Sequence, residues 1–124
     1  MPIKVGIAGV RGLSNIEGFR AAPGVVVEAL CDLDGDILTE QATRYNIPKQ
    51  YRVFEDMLAS DIDAVVISTP MQCHVPQALQ ALEAGKHVFS EVTAGVTLDE
   101  LWWLIETVEK TGKVYMMAEN CCYL

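Results

Sequence analysis

The stretch Ala64-Val-Val-Ile-Ser68, Thr69-Pro-Met-Gln-Cys-His74, Val75-Pro-Gln-Ala-Leu-Gln-Ala-Leu82 and Gly85-Lys-His-Val-Phe-Ser90 decides the fold. Its first five residues are uncharged and unbroken, as in a strand buried on both faces of a parallel sheet. Val75, Ala78, Leu79 and Leu82 then fall at i, i+3, i+4 and i+7, one face of a helix. Gly85 stops that helix, because glycine accepts the left-handed conformation of a C-terminal cap. His87–Ser90 is a second strand. Strand, helix and strand in roughly thirty residues make one parallel crossover unit.

The same rhythm extends outward on both sides. Toward the N-terminus, Ile3–Ala8 reads as a strand and Leu13–Ala21 as a helix. Val25–Cys31 is a strand opened by the turn pair Pro23-Gly24. Asp34–Tyr45 is a helix stopped before Pro48, Gln50–Val53 a short strand, and Phe54–Ser60 a brief helix. Toward the C-terminus, Thr97-Leu-Asp-Glu100 is a capping box. The helix it opens is expected to bury Leu101, Leu104, Ile105 and Val108, leaving Trp103 more exposed than Trp102. Val114–Ala118 is the last strand, with Met116 and Met117 expected in the core. Six strands alternating with helices predict a three-layer α/β fold, a doubly wound parallel (Rossmann) sheet in the order 3-2-1-4-5-6. Residues 1–124 read as one such domain.

Composition narrows the function classes. The 124 residues carry a net charge of −8, the wrong sign for a generic nucleic-acid binder. No run of about 18 uncharged apolar residues is present to span a membrane. Met1-Pro2-Ile3-Lys4-Val5 enters a strand directly, with no secretory leader, so a cytoplasmic location is expected. Cys31, Cys73, Cys121 and Cys122 form no Cys-x-x-Cys pair and read as reduced core cysteines; no metal site is expected.

In an open α/β sheet, ligands bind outside the carboxyl ends of the strands. Polar groups gather at five of those ends: Gly9-Val10-Arg11-Gly12-Leu13-Ser14, Asp32-Leu33-Asp34, Thr69-Pro70-Met71-Gln72-Cys73-His74, Glu91-Val92-Thr93 and Glu119-Asn120. A glycine turn between strand and helix lets backbone amides face a pyrophosphate. Against the pattern G-x-G-x-x-G this turn is altered. Either Gly9 holds the first place with Arg11 and Ser14 in the other two, or the loop is one residue shorter and Gly12 makes the close approach. Asp32 follows Gly9 by about the ~20 residues expected of the acid that accepts the adenosine ribose hydroxyls. A carboxylate there repels a 2′-phosphate and favours NAD over NADP. His74 and Glu91 are expected beside the nicotinamide half, and Glu17 and Glu28 on solvated faces.

Val27-Glu-Ala-Leu-Cys-Asp-Leu-Asp34, Asp63-Ala-Val-Val-Ile-Ser-Thr-Pro70 with His74, and Ala81-Leu-Glu-Ala-Gly-Lys-His-Val88 with Glu91 resemble the glucose–fructose oxidoreductase/inositol dehydrogenase (Gfo/Idh/MocA) family. The resemblance covers essentially the whole chain. It implies an NAD-binding domain followed, in the family, by a second α/β domain that holds the substrate and makes oligomer contacts; that domain is absent from these residues. It places cofactor contacts at Arg11 and Gly12, Asp32, Met71–His74, Glu91 and Val92, and Asn120. One departure matters. The family usually reads Glu-Lys-Pro where this chain has Glu91-Val92-Thr93, so Val92 stands where a proton-transferring lysine is usual. Glu91-Val92, Met116-Met117 and Asn120-Cys-Cys-Tyr123 are similar to the branch containing NAD-dependent glycosidases, although Thr93 is not that branch's proline.

Three functions are therefore expected in order: the NAD-binding part of an oxidoreductase acting on a sugar or polyol, the cofactor domain of a redox-assisted glycoside hydrolase, and a dinucleotide-binding module without catalysis. The protein positions the cofactor, and the cofactor carries the hydride chemistry.

Overall fold

A computed structural model describes residues 1–118. Six parallel strands, β1 (Ile3–Ala8), β2 (Val25–Cys31), β3 (Lys49–Tyr51), β4 (Ala64–Ile67), β5 (His87–Glu91) and β6 (Tyr115–Ala118), lie in the order β3-β2-β1-β4-β5-β6. The expected order is the observed one. Ala8 at the end of β1 pairs with Cys31 on one side and Ile67 on the other. The strand sequence reverses direction across β1 and β4, and a crevice opens there beyond the strand ends.

The helices are α1 (Ile16–Ala21), α2 (Gly35–Arg44), α3 (Phe54–Leu58), α4 (His74–Glu83) and α5 (Leu98–Thr111). Two buried clusters separate them by face. Val5, Ile7, Val27 and Leu30 pack with Ile16 of α1 and Leu38 and Ala42 of α2. Ala29, Cys31, Val65, Ile67 and Val88 pack with Met57 of α3, Ala78 and Leu82 of α4, and Leu104 of α5. Each such fully buried Leu, Ile, Val or Met contributes about 1.5–3 kcal/mol. No described helix is long and apolar enough to cross a membrane.

Caps fix the helix starts. Asp34 accepts from the amides of Asp36 and Ile37 at 3.1 Å, and Thr97 Oγ1 accepts from Glu100 N at 3.1 Å. The Glu100 carboxylate turns back to Val96 N, 3.2 Å away, one residue before the cap.

Four expectations change. The segment after Gly9 is a 3-10 turn over Val10–Asn15, and α1 begins only at Ile16. Trp102 is the more exposed tryptophan, 62% against 54% for Trp103. The cause is Ile105, which is exposed: the inward stripe narrows to buried Leu104 with half-buried Leu101 and Val108, turning both tryptophans about 130° from it at 100° per residue. Met116 and Met117 are exposed rather than core, because β6 is an edge strand of the described sheet. Glu28 is not solvated either. The β1–β2 register passes from Val27 to Ala29, leaving Glu28 as the extra residue of a bulge. Its Oε2 lies 3.9 Å from Lys4 Nζ and 4.0 Å from Lys49 Nζ.

Candidate functional site

The carboxyl ends of β1, β2, β4 and β5 border two hollows that meet at Arg11, Thr69 and Pro70. One, of about 340 Å³, lies beyond β1 and β2 and takes in Gly9, Val10, Asp32 and Leu33. The other, of about 440 Å³, lies beyond β4 and β5 and takes in Met71, His74, Glu91 and Val92. Eleven of the fourteen candidate cofactor contacts thus fall at one crevice, although they come from four parts of the chain. Gly12 and Leu13 lie behind it, and the Leu13 side chain is buried in the core beside α1. Asn120, the remaining candidate, lies outside the described residues.

Two glycines shape the first turn. Gly9 has φ +92°, and a Cβ on it would stand 2.8 Å from Ser68 O. A Cβ on Gly12 would stand 2.5 Å from Ser68 Oγ and 2.7 Å from Ile7 Cγ2. Both glycines are thus pressed against the end of β4 at Ser68, Gly12 the more tightly. Ser68 fills the gap: its hydroxyl lies 2.8 Å from Ala8 O and 2.9 Å from Gly9 O, donating across the switch point. The sequence reading placed Ser68 inside a strand and gave it no role. Its position at the end of a central strand, beside the glycine turn, was the available signal.

Asp32 stands immediately after β2. Oδ2 accepts from Val10 N at 3.1 Å and Oδ1 from Asp34 N at 2.9 Å. The carboxylate is thereby aimed and held by two neutral backbone donors, and each oxygen keeps a lone pair for another donor. Arg52, also missed in the sequence, closes the same hollow. Its Nη2 donates to Leu33 O at 3.0 Å.

Glu91 ends β5 in the larger hollow. Oε1 lies 3.5 Å from Asn15 Nδ2, and Oε2 lies 3.7 Å from Arg11 Nε. Asn15 reaches it because the 3-10 turn carries the chain past the crevice before α1 begins; a helix from Leu13 would have hidden that. Arg11 is 86% exposed along its side chain. Val92 is 44% exposed in the same hollow, offering an apolar surface and no proton. The Val92–Thr93 peptide is cis. His74 is 1% exposed, and both ring nitrogens are engaged by backbone carbonyls.

Of the cysteines within the described residues, Cys31 is buried and Cys73 half-buried, both unpaired. Burial, with Asp32 nearby, pushes the Cys31 thiol up to about 11, which leaves it an unreactive core residue. Cys121 and Cys122 lie outside the described residues.

Residues 3–119 match the family model for Gfo/Idh/MocA, "Oxidoreductase family, NAD-binding Rossmann fold". A "Glycosyl hydrolase family 109 protein" of Shewanella pealeana is 40% identical over 98% of this chain. The chain spans only 29% of that relative's length. Among solved structures, an NAD-binding protein from Listeria innocua superposes with a TM-score of 0.91 at 28% identity, over 99% of this chain and 37% of its own. The scyllo-inositol dehydrogenase of Lactobacillus casei, solved with NAD(H) and scyllo-inositol, gives 0.84 at 26% identity, over 95% and 36%. The chain belongs to the Gfo/Idh/MocA oxidoreductase family and is its NAD-binding Rossmann domain.

Proposed function

We propose that this domain holds NAD, in preference to NADP, for an enzyme that oxidises or reduces a sugar or polyol. The observation that carries the cofactor preference is Asp32. Its carboxylate sits at the edge of the smaller hollow, fixed by the amides of Val10 and Asp34. Ribose hydroxyls can donate to the free lone pairs, whereas a 2′-phosphate would meet a like charge that cannot turn away.

The rest of the crevice fits a dinucleotide. The two hollows are joined at the glycine turn, where Gly9 and Gly12 leave no room for a Cβ. The smaller hollow, with Leu33, Phe54 and Arg52, suits the adenine and its ribose. The larger suits the nicotinamide, between the β4 and β5 ends. NAD supplies a hydride acceptor there. This chain's residues bind and orient it: Asp32 at one end, Arg11 at the shared middle, Glu91 held by Asn15 at the other. Substrate recognition is assigned to residues beyond 1–124, as the greater length of the family 109 relatives supports. A cytoplasmic setting accords with the free thiols of Cys31 and Cys73.

Val92 favours a second reading, the cofactor domain of a redox-assisted glycoside hydrolase. It puts a methyl-bearing side chain in the larger hollow, and 40% identity to a family 109 protein points the same way. Such an enzyme returns its NAD unchanged after each turnover. A steady rise of nicotinamide absorbance with a free sugar would select the dehydrogenase, and glycoside cleavage without that rise the hydrolase.

Calorimetry of the chain with NAD and with NADP tests the cofactor reading. NAD binds more tightly than NADP, and Asp32→Ala weakens NAD by at least about tenfold, the effect of about 1.4 kcal/mol. Absence of NAD binding to the folded chain would refute it.

A further inference from the structure

His74 is enclosed to 1% exposure at the first position of α4. Its Nε2 lies 2.7 Å from Thr69 O, and its Nδ1 lies 2.7 Å from Thr93 O. A carbonyl oxygen only accepts. A neutral imidazole carries one N–H, so its second nitrogen would face an oxygen lone pair with a lone pair of its own. Leaving a buried polar atom so opposed is costly. The ring that satisfies both carbonyls has both nitrogens protonated.

We propose that His74 is a positioning residue, held as an imidazolium, that ties the loop after β4 to the loop after β5. Thr69 belongs to the first loop and Thr93 to the second. These loops supply Pro70 and Met71 on one side of the larger hollow and Val92 on the other. With both nitrogens committed to the protein, His74 has no ring donor left for a ligand. It sets the distance between two walls instead.

The larger hollow is lined by one carboxylate and one guanidinium beside His74. Glu91, at the end of β5, shares the hollow and is the carboxylate on that wall. Arg11, from the glycine turn, lies at the hollow's rim and is turned to Glu91. Cys73 precedes His74 on its own lead-in, and Glu100 at the start of α5 is occupied by Val96 N and its cap.

The chain provides its own control. It has two histidines, and the other makes the opposite demand. His87 Nδ1 accepts from Val114 N at 3.0 Å, which requires a bare nitrogen. Nitrogen-15 NMR of the histidine-labelled chain at pH 7 reads both. His74 should show two protonated nitrogens, and His87 one protonated and one bare. A bare nitrogen on His74 overturns the imidazolium.

The effect on the cofactor rests on the NAD reading and is measured separately. NAD affinity of the unaltered chain should fall as NMR shows His74 losing its second proton. His74→Gln, which keeps a single donor group, should bind NAD about tenfold more weakly, about 1.4 kcal/mol, and lose that pH step. An affinity that stays flat through the His74 titration overturns the positioning role, whether or not the variant folds. If the unaltered chain binds no NAD, the cofactor reading fails while the NMR result stands. The amide signals of Met71 and Ala94 then decide the tie, moving with the ring if it holds and ignoring it if not.

Discussion

At the amino ends of the strands the carboxylates cluster with lysines; at the carboxyl ends Asp32 is held by backbone amides and Glu91 faces a single exposed guanidinium. Lys4 Nζ lies 2.5 Å from Asp61 Oδ2, and Lys49 Nζ lies 3.4 Å from Asp61 Oδ1. Glu28 stands between the same two lysines, and Lys4 N donates to Asp63 at 2.9 Å. At the opposite end Asp32 bonds only neutral amides, and Glu91 faces one cation, the 86% exposed Arg11, at 3.7 Å. A carboxylate answered by a cation has spent its field within the protein. One aimed by amides keeps its charge for whatever enters the crevice. From the same residue types, one end of the sheet neutralises its carboxylates within the fold and the other leaves the Asp32 charge facing the crevice.

The largest expected break comes from Gly12→Val. A Cβ there already collides with Ser68 Oγ and Ile7 Cγ2, and the two further methyl groups must push the turn off the end of β4. Overpacking of this kind costs about 1–3 kcal/mol in stability. NAD binding should become undetectable by calorimetry while circular dichroism still reports a folded chain below its lowered Tm. Retained binding would mean that the turn does not shape the crevice.

A paired exchange sharpens the contrast between the ends. Glu91→Gln keeps the Asn15 contact and removes the charge that Arg11 faces. NAD affinity should change by about three- to tenfold, less than about 1.4 kcal/mol, with Tm moved by no more than about 2 °C. Asp61→Asn should do the reverse, lowering stability and leaving NAD affinity where it was. If either substitution moved both readings equally, the division of labour would fail.

The sheet order was legible because each apolar run and each helical period is complete by itself. Asp32 was legible because its distance from Gly9 follows from one strand-turn-helix-strand passage. Asn15 was not: it reaches Glu91 only because Val10–Asn15 winds as a 3-10 turn, a difference of one hydrogen-bond step that periodicity does not register. Ser68 looked like the last residue of a strand, and its function depends on β1 lying beside β4. Glu28 looked solvated because alternation cannot foresee a bulge, nor two lysines arriving from neighbouring strands. Met116, Met117 and the two tryptophans depend on what lies beyond an edge strand and a helix flank, which is a tertiary fact. Local periodicity thus located the crevice, while the partners that hold its side chains came from chain crossings far apart in sequence.

The smallest effect, and the cleanest assignment to the amino end, is the acid response of Asp61. The hydrogen bond from Lys4 holds its carboxyl below the ordinary 3.8, at about 2. A depressed folded-state value means that the ionised form stabilises the fold. That contribution is complete above pH 3.8 and is lost as pH falls through about 2. Asp61 is exposed beside Lys4, so salt screens the pair and the effect on Tm is modest. Thermal melts of the chain and of Asp61→Asn should therefore differ at neutral pH, converge on acidification through this window, and differ less in high salt. A gap that stayed constant to the acid end of the window would place the loss in packing or in the unfolded chain. The amino end would then owe its stability to something other than the closed charges that set it apart from the ligand end.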